Sequence, residues 1–168
     1  DVNGDGFDDV VVGAYLVDNG DLDEGRALLY LGSASGLGPS AAWMAEGNQA
    51  NAWFGYSVAS AGDVNADGYA DVIVGAYGAS NGQNYEGRAF LYSGSASGLA
   101  ATAVWSGEPD VANSAYGNSV AGAGDVNGDG YDDVVVGAQF FTNGETQEGG
   151  AFVYLGSASG LSSIASWS

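Results

Sequence analysis

Apolar residues along this chain cluster in short runs broken by Gly, Asn and Ser, and no run keeps the three-to-four-residue spacing of an amphipathic helix. The runs are rich in β-branched and aromatic residues, which fit a pleated, half-buried surface. In the first third of the sequence they predict strands at Asp9–Ala14, Arg26–Leu31, Ala41–Ala45 and Gly55–Ala61. The Val10-Val11-Val12 run is apolar on both faces of a strand, so it calls for cover on both sides.

The same pattern recurs. Asp-Val-Asn-(Gly/Ala)-Asp-Gly begins at Asp1, Asp63 and Asp125, a spacing of 62 residues each time. At fixed offsets follow Asn-Gly at Asn19, Asn81 and Asn143, Glu-Gly at Glu24, Glu86 and Glu148, and Gly-Ser-Ala-Ser-Gly-Leu from Gly32, Gly94 and Gly156. A tryptophan closes each copy, at Trp43, Trp105 and Trp167. A repeat this long, with four strands and tight turns, predicts an all-β protein of the propeller type, made of four-stranded antiparallel blades. The expected units are 1–53, lacking its inner strand, 54–115 and 116–168, together one repeat domain belonging to a larger propeller or assembly. The recurring Trp43, Trp105 and Trp167, with Tyr30, Tyr92 and Tyr154, are expected between blades.

Charge narrows the function. Twenty-one acidic residues stand against two arginines, a net charge of −19. Nucleic-acid backbones and anionic membrane surfaces are therefore not expected partners. There is no His, Cys or Lys, which removes imidazole and thiolate metal sites and the commonest catalytic bases and nucleophiles. Oxygen chemistry remains.

Each repeated acidic motif offers alternating oxygen donors. The first copy supplies Asp1, Asn3, Asp5, the Phe7 carbonyl and Asp9. The second supplies Asp63, Asn65, Asp67, the Tyr69 carbonyl and Asp71, and the third Asp125, Asn127, Asp129, the Tyr131 carbonyl and Asp133. A flexible set of hard oxygens suits Ca²⁺ better than Mg²⁺, so three calcium sites are expected. Gly6, Gly68 and Gly130 sit where the loop must turn through positive φ. An EF-hand would place a bidentate Glu at its twelfth position, where Val12, Val74 and Val136 stand instead. Other acids, among them Asp8, Asp18, Asp21, Asp23, Glu46, Glu108 and Asp132, are expected as solvated surface. Arg26 and Arg88 are expected to pair locally with Glu24 and Glu86.

The stretch from Phe54 through Gly55, Tyr56, Asp63, Asn65, Asp67 and Gly68 to Tyr77, echoed from Tyr116 to Gln139, resembles the FG-GAP repeat, the calcium-binding blade unit of integrin α-subunit propellers and many bacterial surface proteins. The resemblance covers nearly the whole chain. It implies that Phe54–Ala61 is the inner strand of a blade, with calcium in the turn that follows. Tyr116 replaces the motif's Phe, and Ala66 replaces a loop Gly, without removing a ligand.

A non-enzymatic, calcium-binding propeller module of a bacterial extracellular or cell-surface protein is the reading this supports. Its roles would be adhesion, recognition of a protein or glycan, or assembly with further blades in cis or by self-association in trans. The alternatives are a structural repeat forming a filament or surface layer and the propeller scaffold of a carbohydrate-active lyase or hydrolase. Residues that break the repeat, Leu16, Val17, Trp53, Phe140 and Phe141, are the candidate partner contacts.

Overall fold

A computed structural model describes residues 1–168 as an all-β chain of ten strands in three antiparallel sheets. The first sheet joins β1 (Val10–Ala14), β2 (Arg26–Tyr30) and β3 (Trp43–Glu46). The second joins β4 (Phe54–Gly62), β5 (Asp71–Ala76), β6 (Arg88–Tyr92) and β7 (Trp105–Gly107). In the third, β8 (Tyr116–Gly124), β9 (Asp133–Ala138) and β10 (Gly150–Tyr154) pair in order, and a single bridge between Val153 and Trp167 stands in place of a fourth strand. No helix is long and apolar enough to cross a membrane. The predicted strands agree with β1 to β4 to within two residues at each end.

Sheets stack through two apolar cores. Ala27, Leu29, Phe54, Val72, Val74 and Tyr92 form one, between the first and second sheets. Ile73, Leu91, Tyr116, Val134, Val136 and Tyr154 form the other, between the second and third. Alternation along β5 sends Val72 and Val74 to one core and Ile73 to the other, so every residue of this strand is buried. That is the two-sided cover expected of a continuous apolar run. In β1 the equivalent Val10 and Val12 are 40% and 41% exposed, because that strand has a neighbouring sheet on one side only.

Two of the three repeated indoles tie one sheet to the next. Trp43 Nε1 donates to the Ala100 carbonyl and Trp105 Nε1 to the Ser162 carbonyl, both at 2.9 Å. Their rings meet Tyr92 and Tyr154 edge-on, with centroids 4.8 Å apart in both pairs. Trp167 is exposed. Tyr116 and Tyr154 are buried and share a 2.8 Å hydroxyl–hydroxyl bond, which satisfies the polar atom that Tyr116 adds to the motif's aromatic position.

Two expectations about charge are corrected. The arginines pair across strands, Arg26 with Glu46 and Arg88 with Glu108, the latter at 2.9 Å, instead of with the residue two places before them. Register explains the first pair: Arg26 lies directly opposite Glu46, whereas Glu24 lies before β2 and is buried. Glu24 and Glu86 are instead fully buried, at 1% and 0% exposure, where the Glu86 carboxylate accepts the Asn81 N–H that closes its loop. Glu46, Glu108 and Asp132 are accordingly not free surface acids; Asp132 accepts the Asp63 N–H at 2.8 Å.

Candidate metal loops and aromatic face

Three loops share one geometry; the second and third connect β4 to β5 and β8 to β9, and the first leads into β1. In the opening loop Asp1 Oδ1 accepts from Gly4 N at 2.6 Å and Asp1 Oδ2 from Gly6 N at 2.8 Å. Asn3 Oδ1 accepts from Asp5 N at 3.1 Å, and Asp5 Oδ1 from Phe7 N at 3.0 Å. The second and third loops repeat the arrangement: Asp63 and Asp125 hold Gly68 N and Gly130 N at 2.7 and 2.8 Å. Asn65 and Asn127 hold Asp67 N and Asp129 N at 3.0 and 2.9 Å. Gly6, Gly68 and Gly130 take φ values of 89°, 91° and 93°, the left-handed turn expected of them. Ala66, in place of a glycine, is held at φ 56°.

The first, third and fifth positions of each motif therefore share one turn. The ninth position is placed differently. Asp9, Asp71 and Asp133 each accept two backbone N–H groups, from Val2, Val64 and Val126 with one oxygen and from Gly32, Gly94 and Gly156 with the other, all at 2.8–3.1 Å. The Gly-Ser-Ala-Ser-Gly-Leu motif thus holds the loop's last acid, a role not read from the sequence although its spacing of 23 residues from that acid never varies. Asp71 and Asp133 are fully buried. Electrostatics differ between the two ends of the loop. Burial pushes the Asp71 carboxyl up to about 6 against the pull of the Gly94 and Val64 N–H groups, with Asp67 and Asp63 adding repulsion. Asp125 lies below the usual carboxylate range, held there first by the Gly130 N–H.

This donor set fits a hard divalent cation in chemistry: carboxylate and amide oxygens and a main-chain carbonyl in one tight turn. Nowhere do three acidic side chains gather in the arrangement that would hold a metal by carboxylates alone. The first two loops also belong to the seam between sheets. The Asp1 carbonyl accepts from Ala70 N at 3.0 Å and the Asp63 carbonyl from Asp132 N at 3.2 Å, while the Val2 and Val64 carbonyls accept from Ser95 N and Ser157 N at 3.0 and 3.1 Å.

At the other end of the sheets lies an aromatic face. Phe54 pairs with Ala76 at one end of β4 and Gly62 with Asp71 at the other, so Trp53 and Tyr77 stand a strand's length from the acidic loop, roughly 25 Å. Tyr15, Tyr56, Tyr77 and Trp53 follow one another in a line, with successive ring centroids 5.1, 4.3 and 4.7 Å apart. Of the candidate partner contacts, Trp53 and Phe140 meet at one cavity there. Phe141 turns inward, its ring edge-on to Phe152 with centroids 5.1 Å apart, and Leu16 is exposed. Val17 is half-buried and closes its own loop, accepting from Gly25 N at 3.1 Å.

The FG-GAP repeat family matches residues 54–92 and 116–154. Integrin alpha pat-2 of Caenorhabditis briggsae is 35% identical over an alignment 156 residues long that covers 82% of this chain and 12% of that protein. Integrin alpha-IIb and integrin alpha-8 of Mus musculus are 36% and 34% identical over alignments 149 residues long that cover 82% of this chain and 14% of each relative. The chain thus spans about an eighth of the length of these relatives. All three come from animals, and nothing in them supports the bacterial source expected from the sequence.

Proposed function

This chain belongs to the FG-GAP, integrin-like family, and from that premise we propose that it is a non-enzymatic, calcium-binding propeller module of an extracellular or cell-surface protein, serving adhesion and ligand recognition. Residues 1–53, 54–115 and 116–168 are its three blade units. The observation that carries this reading is the recurrence, three times at a fixed spacing, of one loop in which Asp, Asn and Asp oxygens close on the same turn.

Asp1, Asn3, Asp5, the Phe7 carbonyl and Asp9 would hold calcium in the first loop, with the equivalent residues in the other two. Bound calcium supplies the positive charge that the clustered carboxylates lack. The chain's own part is to keep those oxygens on a glycine-turned loop and to tie that loop to the next blade through the Asp1, Val2, Asp63 and Val64 carbonyls. A loop so placed stiffens the seam between blades and, through it, the opposite face from which variable side chains project. Recognition of a protein or glycan there is the adhesive function proposed, with further blades or other subunits as assembly partners.

Extracellular calcium modules bind with Kd of about 10⁻⁴ to 10⁻³ M. At ten times Kd each site adds about 1.4 kcal/mol. Calorimetric titration is expected to show calcium uptake in that range and a rise in melting temperature reversed by EGTA. Absence of both overturns the metal reading.

A further inference from the structure

The cavity at the aromatic face is the space left by a missing indole. Trp53 lies against Gly78 in the second blade: a β-carbon at Gly78 would stand 2.3 Å from Trp53 Cε3 and 2.2 Å from the Asn51 carbonyl oxygen. One repeat later the two positions are Ala115 and Phe140, small and large exchanged. Ala115 keeps the backbone of Trp53, with φ of 53° against 51°, but not its side chain. The phenyl ring of Phe140 does not refill the space. A cavity of about 380 Å³ remains, walled by Trp53, Tyr85 and Phe140, floored by Ala115 and edged by the amides of Asn113 and Gln147.

Several features make this a site and not a packing gap. Its walls are rigid, because Trp53 N donates to the Asp23 carbonyl at 3.2 Å, the Trp53 carbonyl accepts from Tyr56 N at 3.1 Å, and the ring stacks on Tyr77 at an interplanar angle of 24°. The Tyr85 ring is also stacked on this indole, at 24° with centroids 6.1 Å apart. The volume is at the lower end of ligand sites, which run from about 300 to 1,000 Å³, so it suits one ring and not an extended segment.

Charge selects the ring. In a chain of net charge −19, no charged side chain lines this cavity. A quaternary ammonium would be attracted by the aromatic faces but has no hydroxyl or N–H to pair with the amides of Asn113 and Gln147, and an anionic ligand would be repelled by the surrounding surface. A neutral ligand with a flat C–H face and a hydroxyl rim meets what is present: apolar aromatic faces for the first, and amides that both donate and accept for the second. We infer that the Trp53–Phe140 cavity binds a neutral pyranose residue of a glycan, stacked on the indole with its hydroxyls toward Asn113 and Gln147. This deepens the ligand-recognition reading above and rests on it.

The test titrates the 168-residue chain with the methyl glycosides of glucose, galactose and mannose, followed by tryptophan fluorescence and saturation-transfer NMR. Saturable binding of at least one sugar is expected, with transfer strongest to the C–H groups of one ring face. Ala115→Trp, made together with Phe140→Gly so that the indole meets no β-carbon, as Trp53 meets none at Gly78, refills the cavity and is expected to weaken binding at least about tenfold. Trp53→Ala removes the platform, with a loss of about tenfold expected from one lost stacking contact. It serves as the second variant should the double substitution alter the circular dichroism spectrum. The inference is overturned if no glycoside saturates, if the folded double variant binds as wild type does, or if arginine methyl ester or tetramethylammonium displaces the sugar at lower concentration. Calcium uptake measured on the same samples separates the two readings. Intact uptake without sugar binding removes the pyranose site alone, and absent uptake removes the calcium-module reading.

Discussion

At Gly94 a single hydrogen atom in place of a methyl group lets two blades and one acidic loop meet. A β-carbon there would lie 2.4 Å from the Ala70 carbonyl oxygen and 2.8 Å from that of Val2, both main-chain atoms without freedom to yield. The Gly94 N–H also holds the buried Asp71 carboxylate. Gly94→Ala is therefore expected to cost about 1–3 kcal/mol through overpacking, read as a lower denaturation midpoint in urea with an unchanged slope. Tyr116 carries a second residue-scale prediction. Burial, then the neighbouring Tyr154 and Glu108, pushes its phenol far above the ordinary range, and burial pushes Tyr92 up to about 12. Both phenols stay neutral in the fold while the unfolded chain begins to ionise near pH 10. Their contribution is full below that pH and is lost as pH rises, for Tyr92 through about 12. Stability should thus fall between pH 10 and 12, and Tyr116→Phe should flatten the fall while leaving the Tyr154 hydroxyl without its partner, at about 1 kcal/mol near neutral pH.

Strands and loops of this chain act in pairs drawn from neighbouring repeats. Trp43 sits on β3, yet its indole N–H is satisfied by Ala100, beyond β6 in the next sheet. Trp43→Phe keeps most of the apolar contact with Tyr92 and drops the hydrogen bond, so a loss of about 1–2 kcal/mol is expected, measured by chemical denaturation. The same logic explains β5. Its apolar run is legible in the sequence as a buried strand, but only its position between two sheets distributes Val72 and Val74 to one core and Ile73 to the other. The equivalent run in β1, Val10-Val11-Val12 against Val72-Ile73-Val74, is equally β-branched and stays half-exposed. Hydrogen exchange is expected to be slowest in β5 and markedly faster in β1, a difference that such similar local propensities do not produce.

Across the whole molecule the acidic loops and the aromatic face are two ends of one stack. The loop carbonyls of Asp1 and Asp63 accept the amides of Ala70 and Asp132 from the following blade, so anything that orders a loop also orders the seam beside it. Under the calcium reading, EGTA is expected to speed exchange at the Ala70 and Asp132 amides more than at the centre of β5. Equal protection at those two amides with and without calcium would detach the loops from blade packing. The family match and the integrin relatives fix the architectural setting, while the cavity at Ala115 depends on which residues happen to differ between two copies.

The sequence alone determined the strands, the turns, the repeat of 62 residues and the position of every acidic loop. These are local properties: side-chain alternation, glycine at positive φ and the spacing of short-range oxygen donors require no knowledge of a neighbour. Tertiary structure decided what each repeat meets. It sent Arg26 to Glu46 instead of Glu24, buried Glu24 and Glu86, and gave the invariant Gly32, Gly94 and Gly156 their carboxylate partners. It also turned the Trp53–Ala115 difference from a loop variation into a cavity with aromatic walls. The reason is common to all of these. A blade completes its packing with residues about 60 positions away, and the register of that contact is set by the stacked sheets.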